Sequence, residues 1–240
     1  MSWNIWHGKH LVEIKEHIRK SNPDIIGLQE VIEMVKNGKK WNLAEEIAKE
    51  LGYEWVYFRA FTNETSDPIY DQGNAILSKY KIDKATCYFL SGPEIYEKTA
   101  ESEPRIAIDA HISFGERMLH IITTHLAYSF QFRHSKVRDL QVNNLLKTID
   151  PNNTVLMGDF NSPNDSEVIK RISTVIQNAD TNPTDPTWTV YPFDYHGHVE
   201  TELKHRLDHI FLSNDLRVEK FEVENSKGSD HLPVSAIIEI

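Results

Sequence analysis

In this chain of 240 residues, the polar side chains that end or interrupt apolar runs are the ones a rigid scaffold could present for chemistry. Asn4 lies within "SWNIW", Glu30 closes "DIIGLQE", His125 closes "LHIITTH", and Asp159 and Asn161 close "VLMGDFN". Asp208 interrupts "RLDHIFL", and Asp230 and His231 stand together in "GSDHLPV". Singly, each has an ordinary structural explanation: a Glu after a strand caps a helix or is solvated, and Asp-Phe-Asn makes an Asx turn. Together they contain what hydrolysis of a phosphate ester requires.

Carboxylate and amide oxygens suit a hard divalent cation such as magnesium, so Glu30 and Asp230, with Asn4 in support, could hold one without Cys or His. The imidazoles are then left to move a proton or to stabilise charge at phosphorus, with Asp208 a candidate partner for His231. Period-two alternation would place Asp159 and Asn161 on one side of a strand, where an acid and an amide could orient a water molecule. Zinc-ligand spacing, a Walker loop, a nucleophile elbow and a redox cysteine pair are not recognisable.

Those residues need elements to hold them. "HLVEIKEHIRKSN" and "WNLAEEIAKELG" repeat apolar residues at helical spacing, the second stopping at Gly52. "PDIIGLQEV", "YEWVYFR", "GNAILSKY", "KATCYFL", "RIAIDAHISF" and "MLHIITTHLA" have the short, bounded form of strands, and "KNGKK" that of an exposed loop. A longer helix is expected from about Ser129 to Thr148, then the strand "NTVLMGDF", a capped short helix in "SPNDSEVIKRIS" and three more strands after an aromatic segment. With no repeat or dividing linker, one α/β domain over 1–240 is expected, with two sheets packed face to face between helical layers. Gly228 and Ser229 are expected to let the chain turn tightly, and Pro233 to launch the last strand.

Acidic residues number 36 against 26 basic ones, a net charge of −10. That sign opposes tight nonspecific binding to nucleic acid. Cys87 stands alone, no leader-like apolar run follows "MSWNIWHGKH", and no stretch has the roughly 18 apolar residues of a membrane span. A cytoplasmic monomer is expected.

The ordered set "WNI", "PDIIGLQE", "GNAILSKY", "EPRIAI", "TTHL", "MGDFNSP", "PTW", "RLDHIF" and "SDHLPV" resembles the endonuclease/exonuclease/phosphatase superfamily, the deoxyribonuclease-I-like fold, from Ser2 to Ile240. The resemblance implies a four-layer α/β/β/α sandwich, two packed mixed β-sheets flanked by helices, with its site at the strand ends. It implies an enzyme, a magnesium-dependent hydrolase of phosphoesters with Mn2+ as a substitute metal and no covalent intermediate. Glu30 would be the principal metal ligand, with Asn4 nearby and Asp230 assisting. Asp159 and Asn161 would orient or activate the attacking water, and His231 would pair with Asp208 beside the scissile phosphate. His125 matches a second active-site His, as in the deoxyribonuclease and sphingomyelinase branches, and Asp71 could be its partner. Arg105 matches an arginine that contacts phosphate or supports a carboxylate, so Arg105, Asn161 and His125 are the candidate phosphate contacts. Two assignments of the general base stay open, Asp159 or a His231 made more basic by Asp208.

The fold does not choose the substrate. Trp188, Tyr191, Phe193, Tyr195, His196 and His198 crowd one segment that could stack a base, face a lipid or pack beneath the site. The basic run "FRHSKVR" could receive a phosphate, although as a helix start it is more simply solvated. A small or lipid-like phosphate ester is the expected partner. DNA or RNA cleavage is the alternative, and a noncatalytic binding module would have lost carboxylates that this chain retains.

Overall fold

The computed structural model describes residues 1–97 and 99–240. Its first sheet runs, neighbour by neighbour, Arg217–Val223, Val234–Glu239, Ser2–Asn4, Ile25–Lys36, Tyr70–Ser78 and Glu54–Asn63, with Lys39–Asn42 paired to the far part of Ile25–Lys36. The second runs Gln177–Asn178, Asp208–Leu212, Thr154–Asp159, Arg117–His125, Arg105–Phe114 and Ile82–Ser91. Each sheet is mixed: Ser2–Asn4 lies parallel to Ile25–Lys36, Arg117–His125 lies parallel to Thr154–Asp159, and the other pairs are antiparallel.

Side-chain alternation gives each sheet two apolar faces. The inner faces meet through Ile76, Ile108, Ile121, Met157 and Val234. On the outer face of the first sheet, helices α1 (Leu11–Ser21) and α2 (Leu43–Leu51) bury Ile14, Ile18, Leu43 and Ile47 against Trp3 and Leu28. On the outer face of the second, α3 (Lys136–Leu146) and α4 (Glu167–Ser173) bury Val142, Leu145, Ile169 and Ile172 against Ile122, Leu156 and Phe211. Each such side chain contributes about 1.5–3 kcal/mol of transfer free energy. The result is the expected α/β/β/α sandwich. The sheets approach closely at Gly27, where a Cβ would stand 2.7 Å from Thr123 Oγ1. Beside it Gln29 Nε2 crosses the interface to Thr123 Oγ1 at 2.9 Å.

Two local expectations are corrected. The helix foreseen from Ser129 is shorter: a single tight turn at Phe130–Phe132 precedes α3, whose start is set by Ser135 Oγ accepting the Arg138 N–H at 3.4 Å. The "KNGKK" loop is a two-residue turn, with Asn37 and Gly38 at φ 53° and 72°, that closes a hairpin from Ile25–Lys36 onto Lys39–Asn42. The chain bends through residues 227–230 as expected, and Gly228 also serves contact, because a Cβ there would lie 2.8 Å from the Trp3 ring. Among the described residues no helix is long and apolar enough to cross a membrane.

Candidate active site

Strand register sets the first three groups in a row. His125 pairs with Asp159 across the parallel ladder, and Asp159 pairs with Asp208 across the antiparallel one. All three are buried. The other sheet brings Asn4 to the same end, where its Nδ2 donates to Glu30 Oε1 at 3.1 Å and to Asp159 Oδ2 at 3.0 Å. Asn4 Oδ1 is taken by the Trp6 N–H at 3.1 Å, so Asn4 ties the two carboxylates together through its nitrogen.

Glu30 is aimed by a bulge. Its strand shifts register against Tyr70–Ser78 between Leu28 and Val31, and Glu30 itself takes φ 55°, a left-handed conformation that a non-glycine residue adopts at a cost of about 1–3 kcal/mol. Asn161 is aimed by a turn. It lies beyond the strand Thr154–Asp159 at φ 46°, with its N–H donating to Asp159 Oδ1 at 2.8 Å. The alternation expected for Asp159 and Asn161 is thus replaced by an Asx turn, which brings the two side chains together by folding the backbone over.

Asp230 and His231 are held by the aromatic segment. Trp188 Nε1 donates to Asp230 Oδ2 at 3.3 Å, the Val190 N–H to the Asp230 carbonyl at 2.8 Å, and the Leu232 N–H to the Thr187 carbonyl at 2.8 Å. Ser229 Oγ donates to Asp230 Oδ1 at 3.1 Å and accepts the His231 N–H at 3.2 Å. His231 Nδ1 lies 2.9 Å from Asp208 Oδ2, the expected pairing, and its Nε2 stands 3.6 Å from Asp159 Oδ2. Burial works against charge on this ring, but the Asp208 and Asp159 carboxylates outweigh it and raise His231 well above the ordinary histidine range. Asp159 is pushed up to about 7, first by burial, against the opposing pull of His231 and with Asp208 adding to the rise.

His125 behaves in the opposite way. Burial, then the positive Arg105 and His231, lower it well below the usual value, so it is neutral. Arg105 Nη1 meets His125 Nδ1 at 3.0 Å, and an arginine can only donate, so the ring proton belongs on Nε2, 3.4 Å from Asp159 Oδ2. Asn161 Nδ2 lies 3.0 Å from the same Nε2 and donates to the Leu126 carbonyl at 2.9 Å. Arg105 also grips Glu103 Oε2 at 2.6 Å, while its buried Nε has no hydrogen-bond partner among the described residues. Asp71 is not the His125 partner. It lies between the pocket-lining Tyr70 and Gln72, but its side chain takes the other side of the strand and accepts from Thr62 Oγ1 at 2.6 Å and Arg59 Nη1 at 3.3 Å.

These groups line a pocket of about 210 Å³, walled by Tyr70, Tyr128, Phe132, Phe193 and Tyr195. Glu30, Asp159 and Asp230 supply oxygens at its floor. Asp230 is raised first by burial and then, against His231, by the Glu30 charge, so the two neighbouring carboxylates repel each other. An all-oxygen set of mutually repelling carboxylates fits a hard divalent cation.

Three residues of the site are not evident from the sequence. His7 Nε2 lies 2.8 Å from Gln72 Oε1 and 3.4 Å from Glu30 Oε2, placing both His7 and Gln72 on the pocket wall. Arg138, from the basic run expected to be solvated, is 3 % exposed and donates from Nη1 to the Asn161 carbonyl at 2.6 Å. The other prominent aromatics divide: His198 is buried away from the pocket, whereas the buried Trp188 and the half-buried Phe193 and Tyr195 line it.

Residues 1–231 match a sequence model of the Endonuclease/Exonuclease/phosphatase family. A search of curated proteins finds no match. Among solved structures, the mannosyl-6-phosphatase of Bacteroides thetaiotaomicron VPI-5482 is similar at TM-score 0.70 and 18% identity, over 100% of this chain and 98% of that one. The human Nocturnin catalytic domain with bound sulfate is similar at TM-score 0.70 and 20% identity, over 99% and 92%. D. rerio TDP2, complexed with a single-strand DNA product, is similar at TM-score 0.66 and 15% identity, over 100% and 97%.

Proposed function

The chain belongs to the endonuclease/exonuclease/phosphatase family, a family of metal-dependent phosphoric ester hydrolases, and from that premise we propose that it cleaves a small phosphate ester, with magnesium, by in-line attack of a water positioned at Asp159. The observation that carries this reading is the convergence of Asn4, His125 and His231 on one buried carboxylate oxygen, Asp159 Oδ2, at 3.0, 3.4 and 3.6 Å.

Glu30 and Asp230 would hold the cation, with Asn4 fixing Glu30, and the bound ion supplies positive charge for a phosphoryl oxygen. Asp159, raised towards neutrality by burial, accepts the proton of the water, and the Asn161 amide fixes that water's orientation. His231, kept charged by Asp208, donates from Nε2 to the phosphoryl group as negative charge builds. Neutral His125 donates from Nε2 alongside it, and the charge of Arg105, whose guanidinium holds the His125 ring, favours the phosphate. A charged His231 favours Asp159 over His231 as the base.

The pocket volume of about 210 Å³ favours a compact group over a duplex. A single nucleotide at a strand terminus is the second reading, favoured by the half-buried Phe193 and Tyr195 on the wall, since aromatic faces accept a base by stacking. A panel of sugar phosphates, aryl monoesters and diesters, phospholipids, and DNA and RNA oligonucleotides, with magnesium or with chelator, separates them. Small monoesters or diesters should be hydrolysed with magnesium by the wild type and not by Asp159→Asn. Hydrolysis confined to oligonucleotides would replace the first reading by the second, and inactivity on every ester with any divalent metal would remove both.

A further inference from the structure

Along the strands that carry Arg105 and His125, but away from the site, lies a second group of metal-binding side chains. His111 and His120 face each other as a directly paired couple of the antiparallel ladder between Arg105–Phe114 and Arg117–His125, and Asp109 lies two residues from His111 on the same face. That face is the outer one. Ile108, Ala110 and Ile112 point into the inter-sheet core, and Ala107 and Ile122 belong to the core beneath α3 and α4. His111 is six residues from Arg105 and His120 five from His125, roughly 16–20 Å along a strand.

We propose that Asp109, His111 and His120 form a second metal centre, of zinc type, on the outer face of the second sheet. Asp109 Oδ2 lies 3.3 Å from His111 Nε2 and 3.1 Å from His120 Nδ1. A tetrahedral zinc ion with bonds of about 2.0–2.2 Å sets neighbouring donors roughly 3.3–3.6 Å apart, so the side chains need move only slightly to close on one. The three donor atoms lie within 4.8 Å of one another, and the imidazole centroids are 4.4 Å apart.

The carboxylate supplies the independent observation. Asp109 is 3 % exposed and its Oδ1 has no hydrogen-bond partner among the described residues, while both imidazoles crowd the other oxygen. A cation shared by the three would neutralise that buried charge, which hydrogen bonds to one oxygen leave half served. The two imidazoles have side-chain exposures of 19% and 24%, so an ion can enter and a water can take the fourth position. Two nitrogens and one oxygen select zinc, cobalt or nickel over magnesium, which keeps this centre chemically apart from the all-oxygen set at Glu30 and Asp230.

The test uses the full chain stripped of metal by chelator, then titrated with Co2+ as a spectroscopic probe and with Zn2+. Wild type and Glu30→Gln should both bind one Co2+ with the intense visible absorption of four-coordinate nitrogen and oxygen ligation, and Zn2+ in excess should raise their Tm by about 5 °C. His111→Gln/His120→Gln should lose both signals while keeping the wild-type far-ultraviolet circular dichroism. If the double variant does not fold, His111→Gln alone, at a partly exposed position, should weaken Co2+ binding at least tenfold. Absence of the four-coordinate spectrum in wild type, or its persistence in whichever of these variants folds, overturns the proposal.

Discussion

Arg138 donates from Nη1 to the backbone oxygen of Asn161 at 2.6 Å and from Nη2 to the carbonyls of Arg133 and Phe132 at 2.5 and 3.4 Å. One guanidinium fork therefore fixes the turn that presents Asn161 and the segment that carries Phe132 into the pocket. Burial lowers its pKa to about 10, which leaves it charged at neutral pH. Arg138→Lys keeps the charge but loses the fork, so kcat should fall about 10-fold while the fold persists. Wild-type kcat in that variant would show that the turn holds Asn161 unaided.

Glu30→Gln removes a charge from the oxygen set while keeping the side-chain size and the bulge. Magnesium affinity, measured by the metal concentration giving half-maximal hydrolysis, should weaken about 10- to 100-fold, with kcat at saturating metal also lower. Thermal stability without metal should stay level or rise, because one of two neighbouring carboxylates is neutralised.

His231→Ala should lower kcat about 10²- to 10⁴-fold with KM within a few-fold of wild type, the pattern of a group acting in the transition state. Asp208→Asn leaves His231 in place without the carboxylate that keeps it charged, and a drop of about 10- to 100-fold is expected. The double variant should be no worse than His231→Ala, since the Asp acts through the His. Additive losses would assign Asp208 a separate part.

His209 gives a pH prediction for stability rather than rate. It is fully buried between Phe160 and Phe211, and burial followed by the charge of Arg206 lowers its pKa from 6.5 to about 3. Below pH 6.5 the unfolded chain takes up a proton that the folded chain refuses until about pH 3, so stability falls as pH falls through that window. The slope contributed is about 1.4 kcal/mol per pH unit. His231 runs the other way: its raised pKa contributes stability below pH 6.5 that is lost as pH rises through the folded value. His209→Leu should therefore flatten the decline of the urea midpoint between pH 6.5 and 4.5, and an unchanged decline would shift the cause to other groups.

The layered fold and the residues that converge at its strand ends were legible because apolar runs ended by Asn, Asp, Glu or His mark both the strands and the ends where polar groups gather. What was not legible depends on backbone or on distance. Nothing in "DIIGLQE" announces that its Glu takes a left-handed conformation, and in "GDFN" an Asx turn and a continuing strand look alike. Arg138 is one of several basic residues at a helix start, and only tertiary packing distinguishes the buried one. Asp109, His111 and His120 escape zinc-ligand patterns because the turn of a hairpin, rather than a short interval, brings His120 back to the other two.

The strand Ser2–Asn4 lies between Ile25–Lys36 and Val234–Glu239, and Trp3 Nε1 donates to the His231 carbonyl at 2.9 Å across 228 positions of chain. During synthesis from the N-terminal side, Asn4 and Glu30 are made early but wait for Asp230 and His231 until almost the whole described chain exists. Contacts of such long sequence separation form late and slowly. Hydrolytic competence is thus a readout of completed folding, and a nascent or prematurely ended chain carries Glu30 and Asn4 without the carboxylate and the imidazole that complete the site.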